Sequence, residues 1–437
     1  YLLSFILCFD HPRWYYRPAF LTLFPVGMVA VFVATADLDW GIWKQIIALC
    51  GAMFVGCMIC HGETYRQRPE PRHITAFYLA IAVGGALGGV FVGILAPLLF
   101  TSFAELGISL MACLAIIPAA LVLDSSILRA QPGARHALGL FAVAWLVGVP
   151  VVWAASIGRG FTSDPGQLVG AWRNFYGVLT VYDGTEQINI DGRNIQTPAR
   201  RLNHGHIRHG MQLLDPAYRH LPTAYYGRPS GVGVVMQVHK PDAPRRIGVV
   251  GLGAGTLAAY ADADDRLTFY EINPLVQQIA QQQFTYLKDS PAALDIILGD
   301  ARLSLERQPP QAFDILVLDA FSGDAIPVHL LTKQAMKLYS RHLAPDGIIA
   351  IHITNKHLQL RPIVERLARQ MNFASKYFSR QSQDQGDLGS EWMLLSPNPD
   401  VLQHPRITRY GEDPLQPNTA RLWTDDDTNL FEILKWR

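Results

Sequence analysis

The sequence predicts a multi-span α-helical membrane region, then a small β domain, then an open α/β domain on a largely parallel sheet. Three observations predict it. At 437 residues the chain exceeds what one hydrophobic core usually supports. Only eight of its 37 Lys and Arg (Arg13, Arg17, Lys44, Arg66, Arg68, Arg72, Arg129 and Arg135) precede residue 158, and long apolar runs separate them. From Arg245 onward, β-rich apolar runs alternate with helical stretches, as βα units do. The expected units are 1–158, 170–240 and 241–437, with a polar junction at about 159–170.

A bilayer-spanning helix needs about 20 mostly apolar residues. Stretches 19–35, 41–60, 74–100, 103–123 and 136–157 meet or approach that length, so five spans are expected. Stretch 1–9 is too short to cross and reads as the tail of a longer helix, since the chain opens on Tyr1 without a methionine. Gly84, Gly85, Gly88 and Gly89 in the third span would let a neighbouring helix approach closely. All five cysteines (Cys8, Cys50, Cys57, Cys60 and Cys113) lie in this apolar part and read as small buried residues rather than a disulfide framework. Cys57-Met58-Ile59-Cys60-His61 also matches the CxxCH pattern of covalent haem attachment, but its place at the end of a span favours packing. A net charge of +1 gives no basic stripe, so nucleic acid is not an expected partner.

In the soluble part, 174–182 and 186–195 alternate polar and apolar residues around Asp183-Gly184, which predicts a hairpin turning there. Beyond Arg245 come the strand-like RRIGVVGLG, a helix from Thr256, LTFYEI, a helix from Pro274, LDIILGD, FDILVLDAF, a helix from Leu330, and GIIAIHIT. Helices are expected on both faces of the resulting sheet.

Ligands of open α/β sheets bind at the carboxyl ends of the strands. Gly251, Gly253 and Gly255 follow the first of these strands and let backbone approach a ligand ahead of the next helix. Glu271 closes the second strand, about 20 residues further on, where an acid can accept hydrogen bonds from both ribose hydroxyls. Asp300, followed by Ala301, closes the third strand and is placed to meet an adenine amino group; Asp319 closes the fourth, beside the reactive centre. Any one of these acids is an ordinary turn or cap residue. Their recurrence at successive strand ends points to an adenosine-containing ligand.

With these residues in place, the stretch 174–355 resembles the spermidine synthase family of aminopropyltransferases, the enzymes of polyamine biosynthesis. The resemblance implies a Rossmann-like α/β methyltransferase-type fold behind a small β domain. It implies a donor substrate, decarboxylated S-adenosylmethionine or S-adenosylmethionine, held by Gly251, Gly253, Gly255, Glu271, Asp300 and Ala301. It makes Asp319 the base that takes a proton from the attacking amine, with Asp324 helping to hold that amine and Tyr225, Tyr226, His204 and His209 lining the acceptor pocket. Where the family has an aspartate in its Gly-rich turn, this chain reads Gly251-Leu252-Gly253-Ala254-Gly255-Thr256. A methyltransferase on the same fold is therefore one alternative, and a catalytically silent subunit of a membrane complex is another.

His61-Gly62-Glu63 with Arg66, Arg68 and Pro69, the His204-Gly205 and His209-Gly210 pairs, and Trp423-Thr424-Asp425-Asp426 resemble the bacterial membrane-fused subgroup of spermidine synthase-like proteins. That resemblance implies a multi-pass protein of the bacterial inner membrane. The implied partners are the lipid bilayer and a small amine, with a homodimer or a membrane complex left open. His204, His206 and His209 lack a nearby carboxylate or cysteine cluster, so they read as pocket or loop residues and no metal is predicted. Asp425 or Asp426 reads as a helix N-cap. Sidedness stays open: seven arginines in the loops on one face argue for a soluble unit outside, whereas its donor would come from the cytoplasm.

Overall fold

The computed structural model describes residues 1–35, 41–123, 166–190, 193–205, 207–321, 327–381, 389–416 and 418–435. The chain divides into two compact units between Pro165 and Gly166. The fifth expected span at 136–157, His206 and Asp324 lie outside the described residues.

The first unit is helical: α1 (Leu2–Asp10), α2 (Arg17–Thr35), α3 (Ile42–Arg66), α4 (Ile74–Val90), α5 (Ala96–Leu99) and α6 (Ala104–Leu123). A π turn, Phe91–Leu95, joins α4 to α5 without a break. Three stretches among the described residues are long and apolar enough to cross a membrane: Arg17–Ala34, Trp43–Arg66 and Pro71–Leu99. The second therefore continues past Cys60, and His61, Gly62 and Glu63 are helical rather than loop residues. A carboxylate buried among apolar side chains is costly unless it is paired. Glu63 is paired: it accepts hydrogen bonds from Tyr15 Oη at 2.7 Å and Arg17 Nε at 2.7 Å, and Arg17 Nη2 lies 2.5 Å from its second oxygen. His61 Nδ1 lies 3.1 Å from Ser4 Oγ, and the Sγ atoms of Cys60 and Cys113 are 3.8 Å apart. Within the described residues nothing approaches within 4 Å of where a Cβ would stand on Gly84, Gly85, Gly88 or Gly89, so the expected close helix approach is not made there.

The second unit opens with an antiparallel four-stranded sheet in the order β1–β2–β3–β4: β1 (Gln167–Asn174), β2 (Gly177–Ile190), β3 (Arg193–His204) and β4 (Ile207–Leu213). The hairpin expected at Asp183-Gly184 is not there. Strand β2 runs straight through those residues, Asp183 facing Gln167 on one side and Arg200 on the other. The turn lies instead at Asn174–Gly177, where Asn174 Oδ1 accepts from the Tyr176 amide at 3.0 Å and Gly177 takes φ +128°. A Cβ at Gly184 would stand 2.3 Å from Arg201 Nη2, so this glycine serves the passage of an arginine, not a turn.

Helix α7 (Gly231–Val238) leads into the main sheet. Its strands are β5 (Arg246–Val250), β6 (Arg266–Glu271), β7 (Ala293–Leu298), β8 (Phe313–Leu318), β9 (Leu343–His352), β10 (Ala374–Arg380) and β11 (Ser390–Ser396). They form seven strands in the order β10–β11–β9–β8–β5–β6–β7. The β5–β6, β6–β7, β5–β8 and β8–β9 pairs are parallel; β9–β11 and β10–β11 are antiparallel. Between the strands lie α8 (Pro274–Gln283), α9 (Tyr286–Asp289), α10 (Ala301–Arg307), α11 (Lys333–His342) and α12 (Arg361–Gln370), with α13 (Pro405–Tyr410) after β11.

Alternation along the central strands explains the layering. In β8, Leu316 and Leu318 pack with Leu338, Tyr339, Ile363 and Leu367 of α11 and α12. Ile315 and Val317 pack on the opposite face with Val232 and Val235 of α7 and Ala280 of α8. Every β8 residue is buried, as expected of a strand covered on both faces. The chain leaves β5 toward β6 and β7, then returns to β8 on its other side. Its topological switch point therefore falls between β5 and β8.

The helix expected from Thr256 is a five-residue 3₁₀ turn, Thr256–Tyr260. Arg245 supplies the reason. Its guanidinium donates to the Tyr260 carbonyl at 3.1 Å and to Asp265 at 2.5 Å, drawing the chain directly into β6. The helix expected from Leu330 likewise begins at Lys333, capped by Thr332 Oγ1 accepting from the Ala335 amide. Arg245 and Asp265 each have 2% of the side chain exposed. Breaking one partner of such a buried pair costs about 3–5 kcal/mol, and we expect a loss of that order for Arg245→Ala, measured by denaturant unfolding. Burial alone would raise the Asp265 carboxyl, but the Arg245 guanidinium and two backbone amides hold it below its ordinary 3.8. The pair thus contributes stability above pH 3.8 that is lost as pH falls toward the depressed folded value.

Candidate active site

The carboxyl ends of β5, β6, β7 and β8 meet the small β sheet at one pocket, whose lining includes Gly251, Gly253, Glu271, Asp300, Ala301, Asp319, Tyr225, Tyr226, His204 and His209. Of the residues singled out from sequence, Gly255 stands just behind it, with Leu287 packed against it, and Asp324 lies outside the described residues.

The Gly-rich turn is shaped by what surrounds it. Gly251 has φ +100° and Gly253 φ +54°, the left-handed region that side chains avoid. A Cβ on Gly251 would stand 2.3 Å from the Asp319 carbonyl oxygen, and one on Gly253 2.8 Å from that of His209. Because only a short 3₁₀ turn follows, the Gly-rich turn lacks the dipole of a full helix.

Glu271 is 7% exposed and accepts from the Leu252 amide at 3.0 Å and the Asn273 amide at 2.8 Å. It thereby ties the end of β6 to the Gly-rich turn, and each carboxylate oxygen keeps a further lone pair. Burial pushes its carboxyl up, against the backbone amides that lower it.

Asp300 is the N-cap of α10, accepting from the Leu303 amide at 2.9 Å, while its other oxygen lies 3.0 Å from His329 Nε2. The next turn is clamped from the far end of the chain. Asp425 takes Arg302 in a two-point contact at 2.8 and 2.6 Å, accepts from Thr332 Oγ1 at 2.7 Å, and is lowered by Arg302 to about 2. Asp425 is therefore not a helix cap, as its sequence context suggests, but a clamp on the helix that Asp300 begins.

Asp319 follows β8 at the switch point, its amide donating to the Val250 carbonyl at 2.9 Å. Its side chain is 4% exposed and both oxygens are held. Tyr226 Oη donates to Oδ2, and His352 Nδ1 lies 2.6 Å from Oδ1. The His352 ring is stacked between Tyr225, at 4.7 Å and 26°, and Trp392, at 4.5 Å and 15°. Burial and the Asp319 charge push both tyrosine hydroxyls well above 10, so they remain protonated donors. Sequence reasoning missed His352. The available signal was a histidine ending the apolar strand run GIIAIH, the same position relative to β9 that marked the other acids on their strands.

His204 and His209 face each other with ring centroids 5.4 Å apart. His204 Nε2 lies 3.0 Å from the Tyr176 carbonyl, which can only accept, so that nitrogen carries the proton. Burial lowers this imidazole, against the Tyr176 carbonyl that raises it. Among the described residues no cluster of three His, Cys, Asp or Glu is placed to hold a metal.

No protein-family model matches the chain. A polyamine aminopropyltransferase from Vibrio vulnificus is 32% identical over 111 residues, which are 24% of this chain and 36% of that protein. An N-terminal histidine N-methyltransferase from Emericella nidulans is 29% identical over 249 residues, 55% of this chain and 42% of that protein. The matches thus span well under half the length of either relative. Among solved structures, a probable spermidine synthase from Corynebacterium glutamicum is similar at 19% identity and TM-score 0.44, covering 58% of this chain and 95% of that one. The Thermotoga maritima spermidine synthase is similar at 14% identity and TM-score 0.39, covering 60% and 82%. The chain carries an open α/β domain, and over those 111 residues it is homologous to a polyamine aminopropyltransferase at moderate identity.

Proposed function

We propose that the chain is a membrane-anchored transferase that moves an aminopropyl group from decarboxylated S-adenosylmethionine to an amine. The observation that carries this reading is Asp319, a buried carboxylate at the switch point, held on both oxygens and facing the pocket that Glu271 and the Gly-rich turn share. An amine attacks only as the neutral base, and a carboxylate in contact with it both attracts the ammonium form and accepts its proton. The nitrogen lone pair forms a bond to the propyl carbon next to the sulfonium. The carbon–sulfur pair returns to sulfur and methylthioadenosine leaves as a neutral thioether; Asp319 holds the one proton taken from the amine's ammonium form, and the alkylated nitrogen keeps its remaining protons.

The residues present suit an adenosine. Glu271 can accept from ribose hydroxyls, Gly251 and Gly253 line the same pocket without side chains, and Asp300 with Ala301 lies on it where the proposal puts the adenine. Transfer of a methyl group is the second reading. It is favoured by the turn itself, where Leu252 and Ala254 stand in place of an acid for the donor's amino group, and by the fungal methyltransferase relative. The three apolar stretches support anchoring in a lipid bilayer. Product analysis separates the readings: methylthioadenosine with an alkylated amine supports aminopropyl transfer, S-adenosylhomocysteine supports methyl transfer, and failure to bind either donor overturns both.

A further inference from the structure

Asp319 is not held by Tyr226 alone; a second array reaches it from β9 and β11. The Glu391 amide donates to Thr354 Oγ1 at 2.7 Å, and Thr354 Oγ1 lies 2.7 Å from His352 Nε2. An ionised carboxylate only accepts, so the nitrogen 2.6 Å from Asp319 Oδ1, Nδ1, is the one that carries a proton. Thr354 Oγ1 anchors the other side of the ring, at Nε2. The ring cannot turn away, because Tyr225 and Trp392 stack on its two faces and Phe321 meets it edge-on at 4.9 Å.

We propose that His352 is the positioning residue for the base: it donates Nδ1–H to Asp319 and fixes the rotation of the carboxylate, leaving the unoccupied lone pairs for the substrate N–H. The inference rests on reading Asp319 as the proton acceptor in amine transfer. His352 transfers no proton: Asp319 takes the one proton released and His352 keeps its Nδ1–H. Removing the histidine leaves Oδ1 without that donor in a buried site, and the carboxylate loses its fixed plane.

The test uses the full chain and two variants. His352→Ala removes the donor, whereas His352→Asn retains an N–H at about the position of Nδ1. A hydrogen bond to a charged group is worth enough that kcat for His352→Ala should fall about tenfold to a hundredfold, with His352→Asn recovering most of the loss. Calorimetric binding of the donor should be kept in both variants, because His352 holds the base and not the donor. Turnover in His352→Ala that matches the wild type, or His352→Asn as impaired as His352→Ala, overturns the role of His352 alone. Wild-type protein that binds donor but transfers to no amine overturns the transferase reading beneath it.

Discussion

Asp319→Asn should lower turnover by about 10²–10⁴-fold, the usual contribution of a positioned general base, while calorimetric binding of the donor is spared. The change is nearly isosteric. Asn keeps an oxygen that can accept from Tyr226 or His352, so the pocket wall stays in place and the chemistry is lost. In the proposed arrangement, donor contacts run through Glu271, the Gly-rich turn and Asp300, and the sulfonium is the one donor group near Asp319. Activity close to wild type in this variant would remove Asp319 as the base. Loss of donor binding together with activity would instead show that Asp319 holds the donor's charge.

Glu271→Gln has the opposite profile. The amide oxygen can accept from only one of the two backbone amides that Glu271 now satisfies, Leu252 at 3.0 Å and Asn273 at 2.8 Å, and the amide nitrogen is turned against the other. A buried donor left unsatisfied costs about 1–3 kcal/mol, and the Gly-rich turn loses the tie that shapes it. Donor affinity should weaken by about tenfold to a hundredfold, read by calorimetry, with far-UV circular dichroism unchanged. Unaltered donor affinity would place the ribose elsewhere.

These two acids were visible in the sequence because each ends a buried β-rich run, and an open parallel sheet delivers such ends to one crevice. The same rule locates Asp300 and the glycines. It applies equally to His352, but a histidine after an apolar strand carries less information than an acid. Its importance comes from Tyr225 and Trp392, which reach it from distant parts of the chain. The contribution of Asp425 was hidden in the same way, because Arg302 is more than a hundred residues away, as the 123-residue separation of the pair records.

Where local reading failed, tertiary contacts prevailed over local pattern. Asp183-Gly184 is a strong turn signal, yet Asp183 is engaged by Arg200 across the strand at 2.7 Å and Gly184 is needed for Arg201 to pass. The stretch after Gly255 looked helical, yet Arg245 captures the Tyr260 carbonyl and ends it after one short turn. In the apolar part, hydropathy placed the helices well but ended the second at Cys60. Pairing of Glu63 with Tyr15 and Arg17 lets that helix carry a buried charge to Arg66.

Aminopropyl transfer at the end of β8, with Asp319 as base, is tested by incubating the full chain with decarboxylated S-adenosylmethionine and an amine and following the nucleoside by mass spectrometry. Methylthioadenosine is expected in equal amount to alkylated amine, with both products lost in Asp319→Asn. S-adenosylhomocysteine formed from S-adenosylmethionine instead, or an unconsumed decarboxylated donor, would contradict that transfer.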